Sequence, residues 1–362
     1  MPRMFDILRG KGEGGDPGGN ETRKPENAEP GKQALSFPKE ILKTPSPGQE
    51  EKEDQALVSK KLIIAVKQHG VDNQNRADEI YESAVSNIKG LLAQIALGEG
   101  PDRPRMEKLY ELLDTIFNQL VMGDNILFNL CEKGKEEASL PYHIVNVLIL
   151  SSVIGLSMGF NKSRLSHLGL ASIFYDVGID SFKEIVKEPR LFTVDERERI
   201  KGHISRSLEI VGKIGPINEI VIETIRMHHE RMGGSGYPAG MRGDDINPYA
   251  KILGLADTYE ALTHTRPHRA GMNTHKAVRL LIGSMKSDFD SDVMKIFINK
   301  MSVYPIGSTV TLDTDEVARV VSVQPCSPLR PVIMILRDAN GINVKEKIVI
   351  DLSKQDFPAI KD

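Results

Sequence analysis

Residues 142–178 read YHIVNVLILSSVIGLSMGFNKSRLSHLGLASIFYDVG. Gly159-Phe160-Asn161 divides the stretch into two apolar runs, each long enough for a helix and neither showing the strict alternation of a half-buried strand. On the first run His143 shares a face with Val147, Leu150 and Ile154, which predicts an inward imidazole. On the second, Asp176 follows Leu168, Gly169, Ser172 and Ile173 at helical spacing and is expected inward as well.

The same periodicity continues downstream. A Thr193/Glu196 capping box opens TVDERERIKGHISRSLEIVGKIG (193–215), read as one helix. Pro216 precedes INEIVIETIRMHHER (217–231), on which His228 extends the face of Ile217, Val221, Thr224 and Ile225, with His229 beside it where the helix meets glycines. The glycine-rich MGGSGYPAGMRG (232–243) leads into YAKILGLADTYEAL (249–262), where Asp257 follows Leu253 by four. Thr274 and Ser291 are read as caps of HKAVRLLIGSM and DVMKIFINKM. After Tyr304-Pro305 the period changes to two. STVTL, EVARVVSV, RPVIMIL and KEKIVIDL are short β-branched runs, with Asn340-Gly341 as a turn between the last pair.

Upstream, residues 1–55 hold 8 Gly, 7 Pro and 20 charged residues without sustained periodicity, a composition unable to offset its ordering entropy, so a disordered arm is expected. From about 56, LVSKKLIIAVKQHG, ADEIYESAVSNIKGLLAQIALG and PRMEKLYELLDTIFNQLVM turn helical. Leu109, Leu112, Leu113, Ile116, Leu120 and Val121 form an amphipathic face. The predicted organisation is a 1–55 arm, a 56–135 helical module, a 136–300 all-helical body and a 301–362 β extension. The fold class is mostly α with a small antiparallel β appendage, and the N-terminal helices are a candidate dimerisation element.

Composition excludes several functions. Lys+Arg total 47 against 50 Asp+Glu, a net charge of −3 in 362 residues, which argues against a dedicated DNA binder. The two cysteines, Cys131 and Cys326, are far apart, so neither a disulfide scaffold nor a thiolate zinc site is expected, and a reducing, cytoplasmic compartment is. No apolar run approaches the ~20 residues of a membrane span, and no secretory signal is read at the N-terminus. Histidine, by contrast, is concentrated. Eight of nine fall between 143 and 275. Inward Asp176 and Asp257 are costly to bury unless they meet a cation or a donor. One or two metal ions shared with inward His would satisfy them, as would Asp–His hydrogen bonds in the core.

At these residues the chain resembles the HD-GYP branch of the HD-domain metal-dependent phosphohydrolases, over about 139–300. The matching parts stand in order: His143, Tyr175-Asp176, Lys201-Gly202-His203, HHERMGGSGYP (228–238) and ADTYEALTHTRPHR (256–269). The β tail also looks like an extension common in that family. The resemblance implies an HD-type helical bundle that hydrolyses cyclic di-GMP with bound metal, Fe or Mn. It implies that Asp176 is the catalytic carboxylate bridging two ions, that His203, His228 and His229 bind one ion, and that His143 and Asp257 help bind another. Arg266 and Arg269 would clamp phosphate, since guanidinium matches its geometry, or form surface ion pairs. Tyr237 and Pro238 would face substrate or a signalling partner.

Four positions depart from the pattern. Tyr175 stands where the family has His, Ile179 where it has Lys, Gly233 where it has Asp, and Ser139 where some members have Glu. A phenol ligates metal only as phenolate, whose formation at pH 7 costs about 4 kcal/mol from a reference pKa of ~10. Three functions are therefore weighed: a working or impaired cyclic di-GMP phosphodiesterase, an inactive relative that binds the dinucleotide or a signalling partner, and a scaffold with neither ligand. Tyr175 is expected either to ligate metal or to pack and donate a hydrogen bond.

Overall fold

The computed structural model describes residues 75–122, 131, 139–300, 304, 307–324, 327–344, 346–354 and 358–361. The expected 1–55 arm and the helix expected from about 56 to 70 lie outside the described residues. The protein is mostly helical with one small antiparallel sheet.

Helix α1 spans 75–96, and α2, Arg103–Val121, starts on an Asp102 cap whose carboxylate accepts from Arg105 N at 2.9 Å. The buried face of α2 is Leu109, Leu112, Leu113, Ile116 and Phe117 and ends at Gln119; Val121, expected on it, is exposed. The apolar stretch forms α3 (Leu140–Ser157) and α4 (Lys162–Phe174), divided by Gly159 at φ 76° and capped at Asn161, which accepts from Arg164 N at 3.0 Å. By length and composition α3 is apolar enough to cross a membrane, but most of it is buried among the helices of the bundle. It packs on α4 and on α9, Pro248–Thr263.

The α4 helix stops at Phe174, earlier than its apolar pattern predicts. Asp176 is therefore not on a helix face but at the head of a 3-10 turn, Val177–Phe182, followed by the short α5, Lys183–Val186. Gly178 permits this turn to pack on the next helix: a Cβ there would stand 2.3 Å from His203 O and 2.6 Å from Ser207 N. The Gly178 N–H instead donates to Ser207 Oγ at 2.9 Å, and that hydroxyl donates to Tyr175 O at 2.9 Å.

The stretch read as one helix from 193 is two. The Thr193/Glu196 capping box opens α6 (Val194–Ile200), a turn at Lys201-Gly202 breaks it, and α7 (His203–Gly212) follows. The break puts His203 at the first position of α7, with Gly202 supplying the low helix propensity that marks the site. Helix α8, Glu219–Met227, ends immediately before His228 and packs on α4, α7 and α9. Two expected caps are displaced by one residue. Asn273, not Thr274, caps α10 (Thr274–Ile282), and Asp290, not Ser291, accepts from the Asp292 and Val293 N–H groups at the start of α11 (Ser291–Lys300). In each case the longer amide or carboxylate side chain lies just outside the helix, where an N-cap belongs.

Strands β1 (Thr309–Thr311), β2 (Val317–Gln324), β3 (Ser327–Arg337) and β4 (Val349–Asp351) form an antiparallel meander in the order β1-β2-β3-β4. Val310, Leu312, Ala318, Val320, Ile333, Ile335 and Leu352 are its buried residues.

Candidate metal centre

Three helix ends and two further helices converge on one point. His203 begins α7, His228 and His229 follow α8, Asp176 follows α4, and His143 and Asp257 reach in from α3 and α9. Gly254 on α9 makes this close approach possible, since a Cβ there would stand 2.5 Å from His228 O.

The imidazoles are aimed by their own backbones. His203 Nδ1 lies 2.8 Å from Ile200 O, and His228 Nδ1 lies 2.7 Å from Ile225 O. Each Nδ1–H can thus donate to a carbonyl one turn back, leaving Nε2 as an acceptor. The two Nε2 atoms face each other at 3.4 Å. Two ligands ~2.1 Å from one ion stand about 3.4 Å apart at the tetrahedral angle. One nitrogen from each of His203, His228 and His229 lies within 4.8 Å of the others, and all three rings are buried. His229 Nδ1 is buried with no hydrogen-bond partner. Burial, then the neighbouring His203, holds His228 down at about 3, and burial with His228 and His203 holds His229 well below the ordinary imidazole range. Neutral imidazole is the form a metal ion needs. The donor set fits one transition-metal ion.

Asp176 borders this triangle, with Oδ1 3.7 Å from His203 Nε2 and Oδ2 3.6 Å from His143 Nε2. Its side chain keeps 16% exposure, more than any other acid or imidazole in the cluster. Burial raises its carboxyl above the usual range against the pull of His203 and His143.

A second group of residues surrounds His143. Its Nδ1 is hydrogen-bonded to Glu260 Oε2, while its Nε2 is 2.5 Å from the Tyr175 hydroxyl and 3.2 Å from Asp257 Oδ1. Tyr175 also donates to Asp257 Oδ1 at 3.1 Å, and its ring meets His228 edge-on at 4.9 Å. Burial and the nearby Asp257 and Asp176 push the phenol well above its ordinary range. Burial opposes charge on His143, but the Glu260 charge and the hydrogen bonds to Asp257 and Glu260 together outweigh it and raise the imidazole to about 9 despite Arg266. Burial likewise opposes charge on the two acids, but His143 leaves Asp257 well below the carboxylate range and, with Arg266, brings Glu260 to about 2.

Glu260 was not legible in the sequence as a site residue, nor was what it holds. Arg266 donates to Glu260 Oε2 at 3.0 Å, Asn146 Nδ2 to Glu260 Oε1 at 3.4 Å, and Asn146 Oδ1 accepts from the Tyr81 hydroxyl of α1 at 2.8 Å. The guanidinium of Arg266 is thus engaged inside the protein. Arg269 donates to the carbonyls of Ala261 and Leu262, at the C-terminal end of α9, and to that of the adjacent Ala270. The glycine loop is fastened by a second buried acid, Glu230. Glu230 accepts from the N–H groups of Ala239, Gly240 and Met241 at 2.7, 3.1 and 2.9 Å. This fixes Tyr237, which stacks on His229 with ring centroids 4.6 Å apart, while Pro238 is exposed. The Lys201 ammonium lies 5.3 Å over the Tyr237 ring.

Stability of the ion-free protein follows from these charges. Below pH 6.5 the unfolded chain protonates His228 but the folded one, held near 3, does not, so stability falls with falling pH. Above 6.5 the folded protein keeps the His143 proton up to about 9 and the unfolded chain has lost it, so stability falls with rising pH. The ion-free protein is expected to be most stable near pH 6.5, with slopes up to about 1.4 kcal/mol per pH unit for each participating group. Urea unfolding at several pH values measures this, and a steady rise from pH 5 to 9 would contradict it.

Residues 122–293 match the HD domain family, and residues 309–362 match the KOW domain associated with the HD domain. The chain is 24% identical over 245 residues to the cyclic di-GMP phosphodiesterase PA4108 of Pseudomonas aeruginosa, covering 67% of this chain and 59% of that protein. It is 27% identical over 221 residues to the cyclic di-GMP phosphodiesterase PdeB of Borreliella burgdorferi, covering 60% and 56%. Less than two thirds of the length of these relatives is therefore spanned. Among solved structures, Bd1817, an HDG"Y"P protein from Bdellovibrio bacteriovorus, shares the fold with a TM-score of 0.50 at 19% identity, over 68% of this chain and 79% of that one. The helical bundle and these matches identify residues 122–293 as an HD domain, followed by the KOW domain associated with it, in a chain similar in sequence to cyclic di-GMP phosphodiesterases.

Proposed function

We propose that the chain is a metal-dependent phosphodiesterase that opens cyclic di-GMP or a closely related cyclic dinucleotide. The observation that carries this reading is the buried triangle of imidazoles, His203, His228 and His229, beside the partly exposed carboxylate of Asp176. A bound Fe or Mn ion supplies Lewis-acid activation of water and neutralisation of phosphate charge. His203, His228 and His229 hold that ion through ring nitrogens, with Asp176 completing the set. The Asp176 carboxylate, the acid of the site most open to solvent, is the group placed to accept the proton of the attacking water. His143 and Asp257 line the adjoining position, where the family places a second ion.

Tyr237 covers His229 and narrows the access, and Pro238 forms the lip. Lys201, poised over Tyr237, brings positive charge to that lip, while Ile179 brings none where the family has lysine. Arg266 acts on substrate phosphate through its charge while its guanidinium also serves Glu260, and Arg269 sets the loop that carries Arg266. A reducing cytoplasmic setting, a signalling partner at the GYP lip and a homodimer through the N-terminal helices complete the proposal.

The test joins metal analysis of the purified chain to a cyclic di-GMP turnover assay. The expected result is bound transition metal and release of linear dinucleotide, abolished by chelator, restored by Mn or Fe, and absent in Asp176→Ala. Binding of cyclic di-GMP without turnover by the metal-loaded protein would replace this reading with that of a non-catalytic receptor, an outcome favoured by Tyr175 in place of the family histidine.

A further inference from the structure

We infer that Tyr175 withholds His143 from metal coordination, so that the chain binds one ion rather than two, on His203, His228, His229 and Asp176. The inference rests on the metal-dependent reading above and specifies the ion count and the residue that sets it.

Both ring nitrogens of His143 are engaged within the protein. Nδ1 meets Glu260 Oε2, and Nε2 meets the Tyr175 hydroxyl at 2.5 Å. An imidazole nitrogen has one in-plane site, which holds a proton, a hydrogen bond or a metal ion but not two of them. Two ligands ~2.1 Å from one ion stand about 3.0 Å apart at a right angle, so the 2.5 Å contact is a hydrogen bond and not a pair of ligand atoms awaiting a shared ion. The same hydroxyl donates to Asp257 Oδ1 at 3.1 Å. One phenol thereby hydrogen-bonds both side chains that would otherwise hold the second ion, which stand 3.2 Å apart.

The tyrosine is locked in place. It is fully buried, its backbone carbonyl accepts from Ser207 Oγ at 2.9 Å, and its ring packs edge-on against His228. The contrast with the other histidines is direct. His203 and His228 engage only Nδ1 with a backbone carbonyl and turn Nε2 toward each other, and His229 Nδ1 has no partner at all. Three imidazoles are presented to an ion, and the fourth is taken.

The experiment is titration of the metal-stripped protein with Mn²⁺, followed by elemental analysis after desalting and by electron paramagnetic resonance. Wild type is expected to retain one Mn per chain with the six-line spectrum of an isolated ion. Tyr175→His is expected to retain two, with the six-line intensity lost to coupling between them. His143→Gln, in case Tyr175→His does not fold, is expected to retain one ion with affinity within about threefold of wild type, while His228→Ala loses it. Two ions in wild type, one ion in a folded Tyr175→His, or a tenfold loss of affinity in His143→Gln overturns the inference while leaving the metal-dependent reading intact. No bound ion in wild type overturns that reading, and the inference with it.

Discussion

Replacing His228 by alanine is expected to strip the protein of its ion and stop dinucleotide cleavage. Metal affinity should fall by more than the ~10–100-fold that loss of an outer hydrogen-bonding partner costs, because a ligand itself is removed. The imidazole is buried, its Nδ1 is fixed 2.7 Å from Ile225 O, and its Nε2 is 3.4 Å from that of His203. Tyr175, whose ring packs against His228, is not free to substitute, since it is tied to His143 and Asp257. The ring, held at about 3, is neutral near pH 7, so its removal breaks no ion pair and need not unfold the chain. Calorimetric titration with Mn²⁺ beside circular dichroism separates the two effects. His167→Ala, on the middle of α4 and away from the cluster, should leave metal binding unchanged. Retention of wild-type affinity by a folded His228→Ala protein would remove the imidazole triangle from the proposal.

What the sequence made legible was set by the range of the interactions involved. Helices built from local apolar periodicity, such as α3, α8 and α9, could be read directly, and so could the β-branched runs that form the sheet. Helix ends were harder. Asp176 was assigned to a helix face because Leu168, Ser172 and Ile173 precede it at helical spacing, yet α4 stops at Phe174, and packing of Gly178 onto α7 draws the chain into a 3-10 turn. Its carboxylate reaches the cluster by a different backbone route. Glycine marks the breaks at Gly159 and in 232–243, and Gly202 likewise splits 193–212 into two helices despite the continuous apolar pattern around it. Long-range polar pairing carries no local signature. Nothing near Tyr81 announces Asn146, 65 residues away, and nothing around His143 announces Glu260, 117 residues on. Glu260 nevertheless had a clue, since it sits one turn after Asp257 on a helix whose other residues are largely apolar, where an acid must find a cation.

That acid carries the larger structural expectation. Glu260→Ala is expected to destabilise the protein by about 3–5 kcal/mol, the range for removing one partner from a buried ion pair. The carboxylate is 2% exposed and is shared by His143, by Arg266 at 3.0 Å and by Asn146 at 3.4 Å. Its removal strands a guanidinium and a charged imidazole with Asp257 as their nearest remaining acid. Glu260→Gln keeps the shape and an acceptor oxygen but not the charge, so it should lose less stability while still lowering the His143 pKa, visible as a shift of the alkaline limb of stability toward pH 6.5. Urea unfolding with a fixed slope measures both variants. Glu209→Ala is the control: Glu209 meets Arg206 at 2.7 Å on the surface, where water screens the pair, and a change within about 0.5 kcal/mol is expected there. If Glu260→Ala cost no more than Glu209→Ala, His143 would not depend on Glu260 for its orientation, and the buried carboxylate would be a passenger in the core rather than the support of the metal-facing side of α3.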